Sequence, residues 1–123
     1  MFDDRGLLGK GFQGVDELQT RFVRNDMPNQ LSILEAIEQF KPTILIGVTG
    51  CPGIFTDEIL EKMCEHCERP LIFPLSNPTS RAECTPEAVC RISEGRAIFA
   101  SGSPFPNIEY NGKTFYANQM NNM

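Results

Sequence analysis

Three short apolar runs, Thr43–Val48, Leu71–Leu75 and Ala97–Ala100, alternate with stretches of helical pattern, and this alternation constrains the chain most. Residues 29–40 place Ile33, Ile37 and Phe40, joined by Leu34 and Ala36, on one helical face and leave Glu35, Glu38 and Gln39 outside it. Lys41-Pro42 ends that helix, because a residue before proline avoids helical geometry. The run Thr43-Ile-Leu-Ile-Gly-Val48 then predicts a strand covered on both faces, as in parallel sheets. Helix–strand–helix–strand–helix–strand at this spacing implies right-handed crossovers and a doubly wound parallel sheet, an α/β fold.

Local signals fix the remaining boundaries. Thr49-Gly-Cys-Pro-Gly53 reads as a loop, with Thr56 as the cap of the following helix and Asp57 and Glu58 suiting its positive end. That helix runs to about residue 67 with Ile59, Leu60, Met63 and Cys64 facing in, and Arg69-Pro70 breaks it. Pro74 lacks an N–H and belongs near the end of its strand. Thr85-Pro86-Glu87 opens another helix, with Val89 and Ile92 toward the core and Gly95 at the C′ position. Residues 101–114 are rich in turns, and Tyr110-Asn-Gly-Lys113 predicts a hairpin turn. Met1-Phe2 reads as the tail of a strand too short to form one, and both ends of the chain look cut.

The 123 residues suit one domain. A net charge of −5 gives no footprint for nucleic acid, which needs clustered Lys and Arg. No apolar run approaches the roughly 20 residues of a membrane span, and the N-terminus lacks the pattern of a secretory signal. Five cysteines without an export signal suggest reduced thiols inside the cell, in cytoplasm or mitochondria. Cys64 and Cys67 invite a zinc or redox reading, but no second close pair joins them, so we read them as ordinary helix residues.

Ligands in open α/β sheets bind at the carboxyl ends of the strands. Two loops there carry the chemistry. Between a buried strand and a capped helix, the small residues of the Gly47–Gly53 loop let a ligand approach the backbone, and free N–H groups at a helix start favour anions. The bland reading is a plain turn. After the next strand, Ser76-Asn77 offers an amide that both donates and accepts hydrogen bonds, against the bland reading of an Asx-turn ahead of Pro78. Asp3 at a strand end suits a ribose, or merely caps a turn before Gly6. Gly9-x-Gly11-x-x-Gly14 has dinucleotide-fingerprint spacing but lacks the strand-turn-helix context. Asn121 and Asn122 alone would be polar tail residues, and His66 a solvated residue. No complete catalytic set is visible.

These segments resemble malic enzymes. Phe2-Asp3 with Gly6-Leu7-Leu8 is similar to their "DxxGL" turn, Ile44–Thr56 to "IGVSGxxGxFT", and Arg69–Pro86 to "RPIIFPLSNPTSxAECTP". Glu94–Phe105 is similar to "EGRAxxATGSPF", and Tyr110–Tyr116 and Gln119–Asn122 to "YNGKTY" and "QxNN". The resemblance implies the second half of a Rossmann-like sheet, a partial NAD(P)-binding domain over residues 1–123. It implies oxidative decarboxylation of (S)-malate to pyruvate and CO2 with NAD or NADP, in an enzyme that is a homo-oligomer. It further implies that Asn77, Asn121 and Asn122 bind malate, and that Asp3, Val48, Thr49, Gly50, Ser76 and Asn77 line the cofactor. The family's tyrosine acid, lysine base, carboxylates for Mn2+ or Mg2+ and phosphate-binding glycines match nothing here, so the chain contains no catalytic or metal residues and is expected to be inactive alone. Asp4 after Asp3 favours NAD, although Arg5 and Arg21 leave NADP open. The alternative is a remnant half-domain without activity that binds a partner or nothing.

Overall fold

The computed structural model describes residues 1–3 and 5–120, which divide after Phe40 into two compact units. In the first, β1 (Phe2–Asp3) pairs antiparallel with β2 (Gly6–Leu7), and β3 (Gly9–Lys10) pairs with β4 (Arg24–Pro28). The opening residues thus do form a strand, of two residues, because the turn through Arg5 folds Leu7 back opposite Phe2. A single helical turn, α1 (Glu17–Thr20), is held by a capping box between Asp16 and Gln19. Helix α2 (Ile33–Phe40) starts four residues later than its apolar pattern suggests. The reason is local: Ser32 and Glu35 exchange hydrogen bonds, Ser32 N to Glu35 Oε2 at 2.8 Å and Glu35 N to Ser32 Oγ at 3.2 Å, which sets the first turn. Ala36 and Ile37 are its buried residues.

The second unit follows the alternation. It contains β5 (Ile44–Gly47), α3 (Asp57–His66), β6 (Leu71–Pro74), α4 (Pro86–Ile92) and β7 (Ile98–Ser101). A hairpin of β8 (Ile108–Tyr110) and β9 (Lys113–Phe115) comes next, and β10 (Asn118–Gln119) ends the described chain. The sheet order is β10–β7–β6–β5, and every neighbouring pair is parallel. Thr56 and Thr85 cap α3 and α4 as expected, accepting from Ile59 N and Ala88 N. Asn111 (φ 48°) and Gly112 (φ 73°) form the hairpin turn, whose two left-handed positions suit the Asn-Gly pair.

Both crossovers step the same way, from β5 to β6 to β7, so right-handed connections put α3 and α4 on one face, where they pack on each other. Leu60 and Met63 of α3, Val89 and Cys90 of α4, and Ile72 and Phe99 of the sheet make this core. Phe99 meets Phe105 edge-on and Phe115 at a tilt, both with ring centroids 6.3 Å apart.

Four further sequence expectations need correction. The β5 strand is covered on one face only: Ile44, Ile46 and Val48 are 48%, 58% and 71% exposed, while Gly47 is buried. An unbroken apolar run states that both faces tolerate burial, not what covers them. Ile92 and Cys64 are half-buried, because the helical period gives the core to Pro86, Val89 and Cys90 and to Ile59, Leu60 and Met63. The left-handed C′ residue of α4 is Glu94 (φ 53°), followed by Gly95 (φ 74°). Gly95 N donates to Cys90 O (2.8 Å) and Glu94 N to Arg91 O (3.4 Å), the Schellman arrangement one residue earlier than expected. His66 is not simply solvated, since its Nε2 lies 2.6 Å from the Pro42 carbonyl oxygen and donates to it.

Candidate functional site

The carboxyl ends of β5, β6 and β7 lie side by side because the strands are parallel and adjacent. Each is followed by a short polar loop: Val48-Thr49-Gly50, Leu75-Ser76-Asn77 and Gly102-Ser103. Of the residues singled out from sequence, Val48, Thr49, Gly50, Ser76 and Asn77 meet at this edge. Asp3 belongs to the first unit. Asn121, Asn122 and Asp4 lie outside the described residues.

Glu83 joins the first two loops. Its side chain is fully buried, and four donors converge on its carboxylate. Thr49 N (2.7 Å) and Thr49 Oγ1 (2.8 Å) donate to Oε1, as does the Ser76 hydroxyl, while Ser76 N donates to Oε2 at 3.3 Å. The Ser76 hydroxyl oxygen in turn accepts from Gly50 N at 2.8 Å. Main-chain bonds from Gly53 N to Ala82 O and from Phe55 N to Glu83 O fasten the rest of the first loop to the same segment. Burial pushes the Glu83 carboxyl up, but the hydrogen bonds from Ser76 and Thr49 outweigh it and hold the group below its ordinary value, ionised.

This arrangement changes what the first loop can bind. Thr49 N, Gly50 N and Cys51 N are all taken, by Glu83, Ser76 and the Thr49 hydroxyl. The loop is therefore not a cradle of free N–H groups for a phosphate, and a buried negative charge beneath it disfavours an anion further. It instead presents the exposed Val48 side chain and a smooth backbone at Gly50, where an added Cβ would meet nothing within 4 Å.

At the second loop the Asn77–Pro78 bond is cis, and Asn77 Oδ1 accepts from the Ser103 hydroxyl. In this arrangement the amide oxygen faces Ser103. Ser101 Oγ, fully buried, donates to Ser103 O at 2.8 Å and holds the third loop. In the third loop, Gly102 passes so close to the loop after β6 that a Cβ there would sit 2.1 Å from Leu75 O. Gln119 and Met120 reach the same edge: Met120 N donates to Ser101 O at 2.8 Å.

In the first unit, Asp3 behaves as a turn cap. Its Oδ1 accepts from Arg5 N (2.9 Å) and its Oδ2 from the Arg5 guanidinium (2.7 and 3.1 Å). Burial pushes its carboxyl up, and the Arg5 bonds bring it below the ordinary range. Gly9 lies in β3, while Gly11 and Gly14 occupy left-handed turn positions; the next helix, α1, opens only at Glu17. A cavity of about 640 Å3 lined by Glu68, Arg69, Arg96, Thr114 and Tyr116 opens at the amino ends of β6 and β7, the opposite edge from the candidate residues. Among the described residues, no group of three or more His, Cys, Asp or Glu side chains is placed to hold a metal ion, and no helix is long and apolar enough to cross a membrane.

Sequence reasoning passes over Glu83 and Ser103. The available signal for Glu83 is a lone acid between Ala82 and Cys84, two small residues that the fold buries. Ser103 lies within the Glu94–Phe105 segment, but its role depends on a partner 26 residues away, which no local pattern states.

The family described as malic enzyme, NAD binding domain, matches residues 1–123. A hydrogenosomal malic enzyme of Neocallimastix frontalis is 47% identical over 122 residues, covering 99% of this chain and 21% of that protein. NAD-dependent malic enzymes of Aliivibrio fischeri and Vibrio parahaemolyticus are 43% and 42% identical, each covering 99% of this chain and 23% of theirs. The chain spans a little over a fifth of the length of these relatives.

Proposed function

The chain belongs to the malic enzyme family, and on that premise we propose that it supplies one wall of the cofactor and substrate site in an NAD-dependent oxidative decarboxylation of (S)-malate to pyruvate and CO2. The observation that carries this reading is the pair of loops at the ends of β5 and β6, tied together by Glu83 and ending in an oriented amide at Asn77. NAD, when bound, takes the hydride from malate C2. The residues here bind and orient. Val48, Thr49 and Gly50 offer the nicotinamide half a flat surface, Ser76 holds the two loops in register, and Asn77 donates to the malate carboxylate or the nicotinamide carbonyl. Asn121 and Asn122 are assigned to the same substrate pocket on the resemblance of Gln119–Asn122 to the family motif.

Asp3 is assigned to the adenosine ribose, its carboxylate oxygens keeping acceptor capacity beyond the Arg5 bonds. Arg5 is committed to Asp3, to Gln13 O at 3.1 Å and to the Phe12 ring at 4.4 Å, which favours NAD over a cofactor with a 2′-phosphate. No metal role falls to these residues; Mn2+ or Mg2+ would be held by carboxylates elsewhere in a longer enzyme. The relatives' greater length also supports the reading that the 123-residue chain alone does not turn over malate; that the working enzyme is an intracellular homo-oligomer rests on the family resemblance alone.

The test is steady-state kinetics on the enzyme carrying this sequence. Asn77→Ala is expected to raise the malate KM or lower kcat by an amount equivalent to roughly 1.5–3 kcal/mol, one hydrogen bond to a charged ligand. Unchanged kinetics would remove Asn77 from the site. Malate turnover by the purified 123-residue chain would overturn the claim of inactivity.

A further inference from the structure

We infer that Glu83 is a positioning residue for the cofactor: its buried carboxylate locks the Val48–Gly50 loop to the Ser76-Asn77 turn, and the affinity for NAD depends on that lock. The inference rests on the reading just given for these two loops.

The chemistry of the site demands a carboxylate. Four donors, two from Thr49 and two from Ser76, point at one side chain with no exposed surface. Both carboxylate oxygens accept and neither donates. A glutamine is nearly the same shape, but its NH2 would face either the Ser76 N–H or the Thr49 donors, leaving a buried donor unpaired. The Ser76 oxygen accepts from Gly50 N, and because an ionised carboxylate can only accept, the hydroxyl hydrogen goes to Glu83. The chain Gly50 N to Ser76 Oγ to Glu83 therefore has one direction, and it ends on the acid.

The end of β5 leans on the same side chain. Gly47, its last residue, passes against Glu83, so a Cβ there would lie 2.6 Å from Glu83 Cδ. The strand end, the first loop and the second loop thus share Glu83 as a common anchor. Because Glu83 sits beneath the loop and is fully buried, it acts on a ligand through Thr49, Gly50 and Ser76 rather than by contact.

The test compares Glu83→Gln and Ser76→Ala with the parent in the full enzyme, with two readouts. The first is the split between KM and kcat. Glu83→Gln is expected to raise the NAD KM about tenfold, the scale of one charge-assisted hydrogen bond, with a smaller change in kcat. Ser76→Ala, which cuts the Gly50 link and leaves the carboxylate its Thr49 donors, is expected to raise the NAD KM several-fold. The second is hydrogen exchange at single amides: Thr49 and Gly50 should lose protection in Glu83→Gln, while Ile72 and Phe99 in the sheet keep theirs. An NAD KM within twofold of the parent in both variants overturns the inference while leaving the proposed function standing. A parent enzyme inactive on malate would sink the proposed function instead, and the exchange readout would still decide whether Glu83 locks the loop. If Glu83→Gln does not fold, Ser76→Ala decides: a KM unchanged within twofold, with the Gly50 amide still protected, overturns the inference.

Discussion

Single residues in this chain carry opposite burdens with the same chemistry. Cys51 lies exposed in the first loop, whereas Cys84 and Cys90 are buried. Burial, with the neighbouring charge of Glu83 behind it, pushes the Cys84 thiol up to about 12. A thiol reacts as its thiolate, so at pH 8 Cys84 is both shielded and protonated. Iodoacetamide applied to the native protein is expected to modify Cys51 and to spare Cys84 and Cys90, as read by peptide mass mapping. Modification of Cys84 as fast as Cys51 would mean that the Ala82–Cys84 segment does not pack as described. Cysteine count alone does not separate these thiols, because which ones are buried depends on where the chain passes after Ser76. Glu83 shows the same limit: its identity is plain in the sequence, and its four donors come from residues 7 and 34 positions away.

Elements meet most tightly at the strand ends. Gly47 and Gly102 are required by close approach rather than by backbone freedom. A Cβ on Gly102 would lie 2.1 Å from a main-chain oxygen of the adjacent strand's loop, and one on Gly47 would lie 2.6 Å and 2.8 Å from the Glu83 and Phe55 side chains. Side chains can shift a little, whereas a paired backbone cannot. Gly102→Ala is therefore expected to cost more stability than Gly47→Ala, with the smaller loss in the roughly 1–3 kcal/mol range of an overpacked core. Urea unfolding of the two variants checks the order, and equal midpoints would contradict the register of β6 and β7 at this edge. The helices read differently. Thr56, Thr85, Pro86 and the Asn111-Gly112 turn do locally what their residue types dictate, so their positions are legible in the sequence. The start of α2 is not, because an apolar period shows which face is buried and not where the first hydrogen bond closes. The Ser32–Glu35 box decides that.

Over the whole molecule, the sheet of the second unit is helix-covered on one face. Ile44 and Ile46 on edge strand β5, with Ile98 on β7, leave apolar surface exposed on the other. A parallel sheet in this state is a self-association hazard. Replacing Ile44 and Ile46 together by Thr keeps β-branched side chains on the strand and removes apolar surface. The double variant of the 123-residue chain is expected to sediment with less self-association than the parent and with no lower melting temperature. A lower melting temperature would mean that this face is buried in solution.

The sequence by itself determined the α/β class, the order of strands and helices in the second unit, the caps and the hairpin turn, because each follows from contacts within a few residues. Its motifs also pointed to the family and to the two loops at the carboxyl edge. Only the tertiary structure decided that one sheet face stays open, that the first loop's amides are already satisfied, and that Glu83 and Ser103 stand behind the loop residues. Those facts come from pairings between residues far apart in the chain. A buried polar group is defined by its partners, and sequence order does not state which partners folding will bring.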